Sequence, residues 1–149
     1  MTGSLTDYQI TTLLTSEVIG HLGCGGNDQL YVVPIVYAYD APYLYSHTHE
    51  GMKIALMRKH PNVCVQIEQI DNLANWRSVI VWGKFEELRG TEAEAGLQHL
   101  KNRLYPLTSS RYSQSVLDLK AEDVAQVRQS PEVIYRIRIE RQSGRFERT

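Results

Sequence analysis

Six residues that can donate hydrogen bonds or expose backbone crowd into eight positions: Ser46, His47, Thr48, His49, Gly51 and Lys53. Hydroxyls and imidazoles supply donors, and the lysine adds a positive charge. The glycine stands where a helix over Gly51–His60 would begin. The first N–H groups of such a helix have no intrahelical acceptor and carry the positive end of its dipole. Together these groups can hold a dianion, and phosphate is the first expectation. A solvated lysine beside a polar loop would show the same pattern. His47 and His49 share a face if this stretch is extended, which allows a metal pair. No third ligand stands at metal spacing, so no metal is expected.

Trp76-Arg77-Ser78 sets a flat apolar ring, a guanidinium and a hydroxyl in succession. Arginine pairs with phosphate or a ring carbonyl, and tryptophan covers an aromatic ligand. A core tryptophan next to a surface arginine reads equally well. Gly23-Cys24-Gly25-Gly26 holds three glycines, yet neither a dinucleotide nor a P-loop pattern is complete and no helix follows. A hairpin turn is expected there. Glu86 and Glu87 are neighbours and would point to opposite faces of a strand, so they do not form a paired-carboxylate site.

The elements that must position these groups follow from periodicity. Ile10, Leu13 and Leu14 place an amphipathic helix over Thr6–Ser16, capped by Thr6 or Asp7. A short apolar run, Val18–Leu22, precedes the glycines. Leu30–Tyr39 is the longest early strand. Pro34 inside it removes a ladder donor, so the strand belongs at an edge or is bulged there. Asp40-Ala41-Pro42 is turn chemistry, and Tyr43–Thr48 should pair back as a hairpin. The Gly51–His60 helix stops before Pro61. Asn62–Glu68 alternates with period two, Val63, Val65 and Ile67 on one face. Asp71–Asn75 is a polar connection. Trp76–Leu88 is apolar on both faces at its centre, hence central or covered, and Gly83 marks a bend or a close backbone approach. Thr91-Glu92-Ala93-Glu94 reads as a capping box for a helix carrying Ala93, Leu97, Leu100 and Leu104. A short helix is expected over Ala121–Gln129 and a closing strand over Val133–Arg141. Gly144–Thr149 reads as a polar tail. About six strands with short connections favour an antiparallel sheet, mainly β, curled into a small barrel with flanking helices.

At 149 residues the chain is expected to form one domain, residues 1–149. Sixteen basic residues stand against seventeen acidic ones, for a net charge of −1, so nothing favours a nucleic-acid backbone as partner. No apolar run reaches membrane-span length, and the polar start lacks the cationic head of a secretory leader. Two cysteines far apart, Cys24 and Cys64, fit unpaired thiols in a reducing cytoplasm.

In their order, YVVPIVYAYD, the HxxxGxK of His47–Lys53, RKHPNVCVQIE at Arg58–Glu68 and WRSVIVWGKFEEL resemble the split-barrel flavoproteins related to pyridoxamine 5′-phosphate oxidase. The likeness extends to the small flavin-nucleotide-binding and nitroimidazole-resistance-like group. It implies a six-stranded antiparallel split barrel, a homodimer, and one FMN in each interface cleft. Carried over by position, Val33, Pro34, Ile35 and Val36 would flank the flavin ring and ribityl chain. Ser46, His47, Thr48 and Gly51 would approach the phosphate, and Lys53 would pair with it. Trp76, Arg77 and Ser78 would stand at the ring or phosphate. His47 is the one candidate proton donor, with no catalytic residue otherwise named. Met52 occupies a position that is often basic in the family, which removes one phosphate cation. The implied activity is a flavin-dependent oxidoreductase acting on a small aromatic or nitro compound. The alternative is a non-catalytic flavin or haem binder on the same barrel, with one of the five histidines as an axial ligand.

Overall fold

The computed structural model describes residues 1–107 and 132–149. Eight strands and three helices follow in the order β1 (Thr2–Ser4), α1 (Asp7–Ser16), β2 (Ile19–Gly26), β3 (Gln29–Val36), β4 (Ala38–Asp40), β5 (Tyr43–His49), α2 (Met52–Lys59), β6 (Asn62–Asn72), β7 (Asn75–Leu88), α3 (Gly90–Leu104) and β8 (Glu132–Glu147). The strands form one antiparallel sheet in the order β3-β2-β6-β7-β8-β5-β4, with β1 added to β8. The expected antiparallel barrel with flanking helices is present, built from eight strands where six are expected.

The early part of the barrel is shaped by one break. The run expected as a single strand, Leu30–Tyr39, is two strands at opposite ends of the sheet order. Tyr37 separates them. Its N–H donates to Val18 O at 2.8 Å, and its phenol donates to Leu14 O at 2.8 Å. β3 pairs with β2 in unbroken register, His21 opposite Pro34. Pro34 therefore marks an edge strand and not a bulge. β5 makes its hairpin with β4, Ala38 opposite Tyr45, and then runs along β8.

β6 and β7 supply the centre. Val63, Val65 and Ile67 are buried as their alternation requires, and Val79 and Val81 meet them from β7. α1, capped by Thr6 through a reciprocal Thr6–Gln9 capping box, buries Ile10, Leu13 and Leu14 against this core. α3 covers a second cluster containing Tyr45, Leu88 and Leu100, where the Tyr45 and His99 rings stack at 4.8 Å. Its expected capping box at Thr91 is not used. The N-cap is Arg89, without a side-chain hydrogen bond, and the helix opens one residue before Thr91 at Gly90. The expected tail is strand: β8 runs on to Glu147, paired with β7 on one side and with β5 and then β1 on the other. Sequence reasoning also missed β1. The expected helix over Ala121–Gln129 lies outside the described residues. No helix among the described residues is long and apolar enough to cross a membrane.

Gly83 explains how β8 bends. Trp82 faces Arg141 and Gly83 faces Ile139, so Glu140 is an extra residue on β8. Such a bulge sharpens local twist. At Gly83 the backbones come so close that a Cβ would lie 2.2 Å from Arg138 O. Gly83→Ala should therefore cost at least about 1 kcal/mol. At this chain length, thermal unfolding should show Tm falling by roughly 2–4 °C for each kcal/mol. An unchanged Tm would mean the two backbones are not held at this spacing.

Candidate functional site

β3 and β5 do not pair as a regular ladder, and the seam between them is bridged by a side chain. Ser46, almost fully buried, donates its hydroxyl to Val36 O at 2.8 Å. That bond draws the β5 end towards the Val33–Val36 stretch. On β3, Ile35 is buried and Val33 half-buried, while Pro34 and Val36 face outwards. On β5, Ser46 and Thr48 fall on one face by strand alternation. His47 falls on the other, and its Nδ1 lies 3.0 Å from Glu132 Oε1.

α2 begins directly after β5. Its N-cap, Gly51, is extended and offers no side chain, so the first-turn N–H groups are not capped from that residue. Met52 stands half-exposed, its sulfur 3.5 Å from the Gln29 amide on the β2–β3 hairpin. Lys53 is half-buried, and burial pulls its ammonium below the ordinary lysine range, opposed by the nearby Cys24 thiol. Burial pushes the Cys24 thiol up, which keeps it protonated. Glu50, the carboxylate next to the helix start, is clamped by Arg58 in a two-pronged pair at 2.7 and 2.8 Å. Arg58 also binds Glu87 at 2.8 Å, and that hydrogen bond lowers the Glu87 carboxyl below its usual value. The corner thus combines a helix start without a side-chain cap from its N-cap residue, one desolvated cation and a neutralised acid. A helix N-terminus with a cation in its first turn fits a phosphate group.

Trp76, Arg77 and Ser78 stand elsewhere in the same chain. Pro34, His21, Gln66 and Ile80 form one cross-strand row, so β7 lies about 14 Å from β3 at the usual strand spacing. Ser78 accepts from the Gln66 amide at 3.0 Å. Trp76 and Arg77 line a separate cleft of about 390 Å3 with Leu5, Gln9 and Phe146. One chain therefore brings Ser46 to Val36 and Lys53 to Cys24 beside the β2–β3 hairpin, and does not bring Trp76–Ser78 to them.

Two groups escaped sequence reasoning. A groove of about 570 Å3 crosses the outer face of β3, β2, β6 and β7, and at its far wall the Arg141 guanidinium lies 4.1 Å from the centre of the Trp82 ring. Only the long-range β7–β8 register brings these two residues together. Tyr135 is the other. Its phenol is fully buried behind Ser46, and desolvation pushes its pKa up to about 12. Ser46 lies close enough to temper that rise, yet its hydroxyl is committed to Val36. No hydrogen-bond partner reaches Tyr135 Oη among the described residues.

A sequence model described as pyridoxamine 5′-phosphate oxidase matches residues 6–146. The chain belongs to that family. The family match spans every strand but β1 and all three helices. A solved FAD-binding protein from Mesorhizobium loti is 31% identical, covering 100% of this chain and 98% of its own, with a TM-score of 0.79. A solved haem-binding protein from Mycobacterium smegmatis shares the fold at 14% identity and TM-score 0.63, over 88% of this chain and 50% of its own. An uncharacterised Rhizobium meliloti protein is 39% identical over 74 residues, half of this chain and 49% of that protein. The chain thus matches about half the length of that curated relative.

The two buried tyrosines give a paired test of the site's packing. Tyr37→Phe removes the bond to Leu14 O and should cost about 1 kcal/mol. Tyr135→Phe removes no bond and should leave Tm unchanged or higher. Thermal unfolding of both variants decides this: an equal loss in each would show that Tyr135 Oη is satisfied after all.

Proposed function

We propose that this chain is a flavoprotein, most simply an FMN-dependent oxidoreductase of small aromatic or nitro compounds that works as a homodimer. The observation that carries the reading is the half-buried Lys53 in the first turn of α2, beside Cys24 of β2, at a helix start that Gly51 leaves without a side-chain cap. A flavin nucleotide brings an anionic phosphate and a flat ring, and both halves of the corner answer to that shape. Lys53 and the α2 donors hold the phosphate, with Ser46 and Thr48 beside the ribityl chain. The outer edge of β3 at Val33–Val36 offers backbone groups and an apolar surface to the ring. Bound flavin would supply the hydride or electron transfer, and the chain contributes binding, orientation and exclusion of water. His47, held on the other face by Glu132, is given no step.

The homodimer rests on exposed apolar surface. Ile19, Val36, Ile70 and the 95%-exposed Leu73 cluster at the β6–β7 hairpin end of the outer face. Such a patch calls for a covering surface. A second copy packed there would bring its own Arg77 and Ser78 towards this chain's flavin, which one chain alone cannot do. A second ligand reading is favoured by the relative at 31% identity, whose name specifies FAD. The FMN half of either nucleotide would occupy the same corner.

The test is direct. The purified protein should be yellow, or become so with added flavin, and released ligand should be identified by mass. Protein that stays colourless with FMN and with FAD overturns the reading, and a haem Soret band replaces it with haem binding. Lys53→Ala should weaken flavin binding by about ten- to a hundredfold, as expected for a charge-assisted contact. The pH dependence has a definite sign. A phosphate favours charged Lys53, so binding takes up a proton, and affinity falls as pH rises through the lowered lysine pKa. Titrations across alkaline pH should show that fall in the wild type and not in Lys53→Ala.

A further inference from the structure

We infer that the outer-face groove between β3 and β7 is the site for the adenylate half of a flavin dinucleotide, which makes FAD the preferred ligand. This rests on the flavin reading above and names what that reading leaves open. The groove follows from register. Val32, Gly23, Cys64, Trp82 and Arg141 form one cross-strand row. The middle residues, Gly23 and Cys64, are small and make a floor. Val32 and the 90%-exposed Leu30 rise on one side, and Trp82 with Arg141 on the other. At about 570 Å3 the space lies within the range of small-molecule sites, roughly 300–1,000 Å3.

Its chemistry suits a purine nucleotide. Trp82 and the Arg141 guanidinium lying over it form a flat layer on which a base can stack. Arg141 makes no ion pair among the described residues and lies on that plate, leaving its charge for a phosphate. Glu140, set apart by the bulge, also lines the groove and offers an acceptor to ribose hydroxyls. A purely apolar partner would leave Arg141 desolvated without a counter-charge. An adenylate provides the ring and the charge together.

The groove also begins where the corner ends. Cys24 and Tyr31 border its near side, and Lys53 neighbours the Cys24 thiol on the inner face of the same strand. The β2–β3 hairpin lies between, touching α2 through Gln29 and Met52. A pyrophosphate running from Lys53 round the end of this hairpin would reach the groove. Gly25 keeps that path low: its φ is +125°, and a Cβ there would lie 2.1 Å from Gln29 O.

Ligand-free full-length protein titrated with FMN and FAD tests this, with Trp82→Leu and Arg141→Gln measured alongside. Wild type should bind FAD about tenfold or more tightly than FMN, the scale of one base stacked on an aromatic side chain. Each variant should bring FAD affinity towards that of FMN while FMN affinity stays unchanged. Equal wild-type affinities overturn the inference and leave the phosphate corner standing. Variants that weaken both nucleotides equally and shift the oligomeric state also overturn it, in favour of a chain–chain interface. Failure of the wild type to bind either nucleotide removes the flavin reading itself.

Discussion

The barrel depends on one residue held from two sides. Tyr37 sits where the chain leaves β3, at one end of the sheet, and enters β4, at the other. A strand cannot belong to both ends without a break in its ladder. The break is affordable because the Tyr37 backbone N–H and phenol both find acceptors, Val18 O and Leu14 O, in a fully buried setting. An unpaired buried polar group would otherwise cost about 1–3 kcal/mol. From that anchoring follow the seam between β3 and β5 and the Ser46–Val36 bridge across it. The corner is what remains when a barrel is closed by a tether in place of a complete ladder.

Electrostatics at the corner comes from removing one charge and burying another. Arg58 occupies both Glu50 and Glu87, so the loop entering α2 presents little negative field. The clamp is surface-exposed and contributes modestly to stability. Its larger effect is positional, since it fixes the turn that aims the first N–H groups of α2. The burial of Lys53 disfavours its charge, and an anion bound there would restore it. A desolvated ammonium has fewer waters to give up when an anion arrives.

Much of this was legible in the residues, and the failures have physical causes. Period-two alternation identified the inward faces of β6 and β8, because both strands have one side in the core. Pro34 marked an edge strand because a missing donor is tolerated only there or at a bulge. Gly83 signalled a close approach. The split at Tyr37 was not legible, since the apolar run through it is unbroken and only tertiary closure divides it. The last turn of β8 looked like a tail because at the barrel end both faces meet water and alternation disappears. At α3 a genuine capping pattern lost to an earlier start at Gly90, whose φ of +59° lets the chain turn into the helix there. The corner was readable because Ser46 to Lys53 are contiguous. The Trp82–Arg141 plate was not, because 59 positions separate its members and only strand register joins them.

The edge strand carries one more consequence. β3 combines a free flank with protruding Leu30 and Val32, the composition from which intermolecular cross-β stacking grows. Pro34 interrupts that flank by withholding an N–H. The residue that lets β3 end the sheet thus also acts as a gatekeeper, discouraging a foreign strand from continuing the ladder.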